Sequence, residues 1–142
     1  MLEKIWIKRF KKGPMDSVRS AQLIAGKGIA TNANIGGKRQ VTILSAECWS
    51  TVMRDLGIDF DPSERRANLL ISEIELANTR GKILQIGACR IRIHGELRPC
   101  ERMDEVFAGL KDRLKRDWAG GVYGEVLDDG VIQVGDATRW LD

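Results

Sequence analysis

Histidine is almost absent from this 142-residue chain, with a single copy, and its three cysteines form no Cys-x-x-Cys pair. That scarcity argues against a structural zinc site, which draws its ligands from clusters of these two residues. An odd set of cysteines at positions 48, 89 and 100 has no look of a disulfide framework and fits a reducing compartment, the cytoplasm. No apolar run is long enough to span a bilayer, so no membrane is expected. Lys4, Lys8 and Arg9 precede no sustained hydrophobic stretch of the kind a secretory leader needs. A strong excess of one charge is missing too. The 23 Lys and Arg against 20 Asp and Glu leave +3, which permits an anionic small molecule without demanding nucleic acid. No internal repeat and no linker is visible. The glycines at 26, 28, 36 and 37 are not followed by the Gly-Lys-Ser/Thr and helix of a phosphate-binding loop, so turn chemistry explains them.

Charged residues at 30% and apolar residues at 43% are in globular proportions, and the length suits one domain, residues 1–142, with a real core. Short apolar runs such as Ile5-Trp6-Ile7, Val41-Thr42-Ile43-Leu44 and Leu69-Leu70-Ile71 read as strands. In Cys89-Arg90-Ile91-Arg92-Ile93 apolar residues alternate with arginines, the period of a strand with one buried face, and Cys89 shares the core face. Ser45 is placed as the N-cap of a helix that ends at Gly57. Met103, Val106, Phe107, Leu110, Leu114 and Trp118 recur at helical spacing and predict one amphipathic helix from Met103 to Trp118. Asp128-Asp129-Gly130 between two short β runs predicts a hairpin. About nine strands and two helices without βαβ alternation predict a mainly β, mixed β/α fold: a barrel or twisted sheet with inserted helices.

Chemistry concentrates in Arg98-Pro99-Cys100-Glu101-Arg102, between the Cys89–Ile93 strand and the predicted helix. Helix N-terminal partial charge and flanking guanidinium groups favour a thiolate, which can attack, carry sulfur or bind a soft metal. The opposing reading is a buried, inert cysteine. Two further cationic stretches stand out. Lys11 and Lys12 precede the Gly13-Pro14 turn, as a solvated loop or as part of an anion site. Arg65 and Arg66, followed by Asn68, are either a charged loop edge paired with Asp61 or Glu64, or a planar fork for phosphate or carboxylate. His94 lies near Cys100 in sequence, but nothing completes a Cys-His-Asp/Asn triad.

Taken in order, several segments resemble one family. Asn34-Ile35-Gly36-Gly37-Lys38-Arg39-Gln40-Val41-Thr42 is similar to its Arg-Gln-Val strand entry, and Arg65-Arg66-Ala67-Asn68-Leu69-Leu70 to its arginine-asparagine motif. Gly81-Lys82-Ile83-Leu84-Gln85-Ile86-Gly87 resembles its following hairpin, Arg98-Pro99-Cys100 its Pro-Cys motif, and Gly130-Val131-Ile132-Gln133-Val134-Gly135-Asp136 its closing segment. The family is MOSC, the domain named for the C-terminal part of molybdenum cofactor sulfurases. The likeness runs from about Ile5 to Leu141. It implies a closed, β-rich barrel with inserted helices, and binding of molybdenum cofactor (a molybdopterin) or handling of sulfur for it. It places Cys100 as the functional thiolate, catalytic or metal-ligating. It makes Arg65, Arg66, Asn68 and Arg98 candidates to hold the cofactor, with Lys11 and Lys12 closing the other side and the Gly120–Gly124 loop lining the pocket.

The pyridoxal-phosphate domain of full-length sulfurases is absent from these 142 residues, as are the extra barrel and electron-transfer domains of the family's larger reductases. Two functions are therefore expected ahead of a nucleic-acid-binding barrel. In the first, Cys100 carries sulfur as a persulfide supplied by a partner such as a pyridoxal-phosphate-dependent cysteine desulfurase. In the second, Cys100 ligates molybdenum and the centre reduces N-hydroxylated compounds with electrons from a redox partner protein.

Overall fold

The computed structural model describes residues 1–141. Its framework is an eight-stranded mixed sheet in the order β11-β7-β8-β9-β5-β6-β1-β2. Those strands are β1 (Leu2–Lys8), β2 (Met15–Val18), β5 (Val41–Ser45), β6 (Leu69–Ile71), β7 (Ile83–Ile86), β8 (Cys89–Glu96), β9 (Val122–Val126) and β11 (Thr138–Leu141). A second sheet holds β3 (Ser20–Ile24), β4 (Gly28–Ile29) and β10 (Gly130–Gln133) in the order β10-β3-β4. Among the described residues only β5 and β6 run parallel.

The central strands are buried on both faces, and their alternation divides the core in two. Ile5 and Ile7 of β1, Ile43 of β5, and Leu69 and Ile71 of β6 point to one side, where Leu23, Ile29 and Ile132 of the small sheet meet them. Trp6, Leu44 and Leu70 point to the other, under α1 (Ala46–Leu56), α2 (Arg102–Val106) and α3 (Leu110–Leu114). A one-residue slip in any of these strands would exchange the two cores.

Neither sheet closes. Among the described residues, β11 and β2 end the large sheet on opposite sides with no ladder between them, so the expected closed barrel is corrected to an open sheet covered by a smaller one. The chain brings Leu2 to Gly135 and Asp136 by two backbone bonds of 2.8 Å, through a turn rather than a strand pair. Strand β10 lies on β3, in the smaller sheet.

Two local expectations also change. The Asp128-Asp129-Gly130 turn makes no hairpin, because β9 pairs with β8 and β5 while β10 pairs with β3. Its acids are taken elsewhere: Asp128 accepts from the Arg90 side chain at 2.9 and 3.0 Å, and Asp129 accepts from the Ala25 N–H at 2.7 Å. The helix expected over 103–118 is broken into α2, α3 and a 3₁₀ turn at Arg116–Trp118. Phe107 is extended and Gly109 takes φ 97°, a left-handed conformation that suits glycine and ends helical propagation. The bend keeps Met103, Leu110 and Leu114 in the helix-side core while Trp118 swings to the other one. The first helix is as expected, with Ser45 accepting the Cys48 N–H at 3.2 Å and Gly57 at φ 66° closing its end. Among the described residues no helix is long and apolar enough to cross a membrane.

Candidate functional site

The ends of β1 and β6, the loops leading into β5 and β6, and the segment after β8 surround a cleft of about 210 Å³. Among the described residues six cations line it, Lys8, Arg39, Arg65, Arg66, Arg98 and Arg102, and no carboxylate does. Cys100 lies on the same wall and is exposed. It stands before the first turn of α2, where its carbonyl accepts the Met103 N–H at 3.0 Å. Pro99 beside it is buried, so the proline anchors the loop and leaves the thiol outward.

The adjacent arginines differ in their engagement. Arg65 is buried, donating from Nε to the Gly120 carbonyl at 3.0 Å and from Nη2 to the Leu97 carbonyl at 2.8 Å. It ties the exit of β8 to the entry of β9. Burial pushes its guanidinium down to about 10, with Arg39 adding to the effect and Cys100 opposing it. Its Nη1 has no protein partner and is not sealed away from the cleft. Arg66 sits at φ 65° as the cap of the 3₁₀ turn Pro62–Arg65 and donates from Nη2 to the Gly13 carbonyl at 2.6 Å. Neither arginine pairs with Asp61, whose carboxylate accepts the Ser63 N–H at 3.0 Å.

Asn68 is a clamp. Its Oδ1 accepts from the Thr42 N–H and hydroxyl, both at 3.1 Å, and its Nδ2 donates to the Trp6 carbonyl at 3.2 Å and to Asn32 Oδ1 at 3.1 Å. Three segments, β1, β5 and the Asn32 loop, are thereby held together at the floor of the cleft. Arg98 is exposed on the cleft wall.

The geometry leaves some sequence candidates outside. Lys11 and Lys12 are exposed on the turn beyond β1 and do not line the cleft; Lys8, which ends β1, takes that place. Burial lowers the Lys8 ammonium below its usual range, and the neighbouring charges of Arg66, Arg102, Arg39 and Lys11 lower it further. The Gly120–Gly124 segment is also corrected from pocket lining to packing. A Cβ on Gly121 would stand 2.2 Å from the Ile43 carbonyl oxygen, and one on Gly124 equally close to that of Arg92. His94 is drawn to Glu125 at 3.1 Å and does not line the cleft.

Among the cleft residues outside the sequence candidates are Lys8, Asn32, Arg39 and Arg102. The arginines stand within stretches that had been singled out, but only the fold shows that they line one cleft. Asn32 had no local signal. It is 3% exposed, and its Nδ2 is the one buried side-chain nitrogen or oxygen among the described residues with no hydrogen-bond partner. Among the described residues no three His, Cys, Asp or Glu side chains gather as a metal-ligand set. A metal at Cys100 would therefore take its remaining ligands from a bound group.

A mainly β, mixed-sheet domain with a cation-lined cleft and an exposed cysteine at its wall is the class of protein this geometry defines. The chain belongs to the MOSC domain family, whose model matches residues 30–139, and that family is associated with molybdenum-cofactor-related proteins. The fold is similar to that of the YuaD protein from Bacillus subtilis, at 18% identity over 99% of this chain and 96% of that one, with a TM-score of 0.80. It is similar as well to YiiM from Escherichia coli, at 15% identity over 100% of this chain and 70% of that one, TM-score 0.74. YiiM from Geobacillus stearothermophilus aligns at 13% identity over 99% and 73%, TM-score 0.72. At such identities the likeness is one of fold. No curated protein matches the sequence.

Proposed function

We propose that this chain holds the phosphate-bearing end of molybdenum cofactor in the cleft and carries sulfur for it as a persulfide on Cys100. The observation that carries the reading is the shared cleft: an exposed thiol beside six cations, no carboxylate, and a buried amide donor without a partner. Such a donor set fits an oxygen-rich anion, which charge-assisted bonds favour strongly in a partly enclosed site. Arg66, Arg98 and the free Nη1 of Arg65 would hold the phosphate, with Lys8 behind them; Lys11 and Lys12 are too far out along the turn to line the same cleft. Cys100 would act at the rim. Its thiolate attacks the outer sulfur of a persulfide on a donor protein, such as a cysteine desulfurase. The donor's S–S bond breaks, the donor cysteine leaves as a thiolate, and Cys100 keeps the sulfur as a new persulfide. No outside oxidant is consumed.

A second reading uses the same juxtaposition. Cys100 is then the protein's thiolate ligand to the metal of the bound cofactor, and a partner supplies electrons for reduction of N-hydroxylated compounds. The redox chemistry belongs to the cofactor, and this chain's residues bind and orient it. Native, non-reducing mass spectrometry of the wild type beside Cys100→Ala separates the two. One added sulfur, removed by reductant and missing from the variant, supports carriage. A cofactor-sized adduct that the variant loses supports ligation. Neither adduct, after co-expression with a cofactor source and a sulfur donor, overturns both.

A further inference from the structure

We propose that Asn32 is the oxyanion-reading residue of the cleft: its Nδ2 donates to an oxygen of the bound anion from the floor, while the cations hold the anion's charge from the walls. The inference rests on the anion-binding reading of the cleft and assigns it a neutral, buried recognition group.

The orientation of the Asn32 amide is determined by donors that cannot be reassigned. The Thr42 backbone N–H can only donate, so the Asn68 atom it meets at 3.1 Å is the oxygen, and the other end of that amide is Nδ2. Asn68 Nδ2 then donates to Asn32 at 3.1 Å, and the Lys8 backbone N–H donates to the same atom at 3.0 Å. Two N–H groups converge on one Asn32 atom, which must be Oδ1. Rotating the amide would place two donors against two donors. Nδ2 is left with two N–H groups, no acceptor and no access to bulk water.

A buried donor without a partner is costly, and folded proteins carry few of them. Here it falls in a cleft whose walls are cationic, on a side chain that lines it. The neighbouring buried polar groups, Thr42 and Asn68, are fully engaged. A bound oxyanion supplies the missing acceptor. Another cation at that depth would add desolvation cost and repulsion to a site where Lys8 already carries both. An amide donates without charge. The ligand class is a tetrahedral oxyanion, free or as the ester end of a larger molecule.

The test uses inorganic phosphate and the full chain. In ¹H–¹⁵N spectra, phosphate is expected to shift the Asn32 side-chain amide pair downfield and leave that of Asn68 in place. Asn32→Asp keeps the acceptor for Lys8 and Asn68 but removes the donor, so it is expected to fold and to bind phosphate at least tenfold more weakly, the scale of one charge-assisted bond. Raising salt separates the lost bond from added repulsion, because screening leaves the bond's share of the deficit intact. An unmoved Asn32 amide on saturation with phosphate overturns the role of Asn32 while leaving the cationic site standing. Absence of binding of both free phosphate and a phosphate monoester by the wild type overturns the cationic site and this inference with it. Wild-type binding of a phosphate monoester but not of free phosphate, with the same Asn32 shift, supports the inference and identifies the ester source.

Discussion

Two concavities of this molecule each contain an accessible cysteine and arginines, and they differ in how the charges are arranged. The larger, about 600 Å³, lies along α1 and the segment after β6 and holds Cys48, Arg113 and Arg116 with Glu47, Glu73, Glu75 and Asp117. Its charges are of both signs: Arg113 pairs with Asp55 at 2.8 and 3.1 Å, and Glu47 accepts the Glu73 N–H at 2.9 Å. The smaller, at Cys100, has six cations, no acid and an orphaned amide. Size favours the first and unmet polarity the second. A groove whose acids and bases lie side by side presents no single sign of charge to answer, whereas a cluster of like charges held together by the fold is a cost that an anion removes. On the proposed reading, function accordingly falls to the cleft at Cys100.

The most severe way to break the comparison is at Arg65. Arg65→Ala leaves the Gly120 and Leu97 carbonyls without their donor in a buried place and opens a cavity behind Cys100, so a loss of about 3 kcal/mol is expected by urea denaturation. Arg116→Ala, on an exposed side chain at the other concavity, is expected to fall within ~0.5 kcal/mol. Equal losses would mean that Arg65 is not the tie described.

The next effect sharpens the functional contrast. Arg98→Ala is expected to weaken phosphate binding about tenfold, the scale of one charge-assisted contact, without loss of fold, since Arg98 is exposed and holds no other element. Arg113→Ala is expected to leave binding unchanged, because its guanidinium is occupied by Asp55 and faces the larger groove. Titration calorimetry of the two variants against the wild type decides it. A matching loss in Arg113→Ala would show a general charge effect in place of a site.

How much of this was legible beforehand follows from how far apart the participants lie in the chain. Cys100 with Pro99 and Arg98, and Arg65 with Arg66 and Asn68, are contiguous motifs whose residue types announce themselves. Their division of labour is not contiguous: Arg65 bonds across 55 residues to Gly120, and Asn68 across 36 to Asn32. Lys8 displaced Lys11 and Lys12 because the register of β1 with β2, not local charge, decides which cation of that run faces inward. Strand alternation foretold the inward position of Cys89, which is 1% exposed. Barrel closure was illegible for a related reason, since alternation marks a strand's faces and says nothing of its neighbour. The same holds for β10, whose pairing with β3 undid the hairpin. Helical spacing over 103–118 described which residues are buried and missed the break, which a single left-handed Gly109 and an extended Phe107 impose.

A smaller effect separates binding from stability at one residue. Lys8 is half-buried among Arg66, Arg102, Arg39 and Lys11, and its charged form is disfavoured in the fold. Lys8→Met is therefore expected to raise the stability of the ligand-free protein by up to ~1 kcal/mol while weakening phosphate binding. The pH dependence carries the sign. The folded ammonium titrates below its ordinary 10.5, so the unfolded chain holds the extra proton between the two values, and stability contributed by this group rises as pH rises through the folded value toward 10.5. Below the folded value the cost is present in full. The wild type should thus gain on Lys8→Met between neutral and alkaline pH, and urea midpoints at several pH values read the narrowing difference. A constant difference would assign the gain to packing.

The smallest stability effect is expected where the functional effect is largest. Cys100 is exposed, its side chain makes no hydrogen bond, and its contribution to the loop is a backbone carbonyl that any residue supplies to the Met103 N–H. Cys100→Ser should change stability by less than ~0.5 kcal/mol and abolish sulfur carriage, since a hydroxyl cannot accept a sulfane sulfur. Cys48→Ser, at the larger groove, should retain carriage. Cys89 offers the internal control. It is buried, and burial followed by Asp128, Asp136 and Asp129 raises its thiol above the usual range, so alkylation of the native protein should reach Cys100 and spare Cys89. Peptide mapping after a brief iodoacetamide pulse measures both at once. Cys89 modified as fast as Cys100 would mean that the start of β8 opens readily. An unfolded Cys100→Ser, by circular dichroism and calorimetry, would make the cleft cysteine structural, and the contrast between the two concavities would then rest on their charges alone.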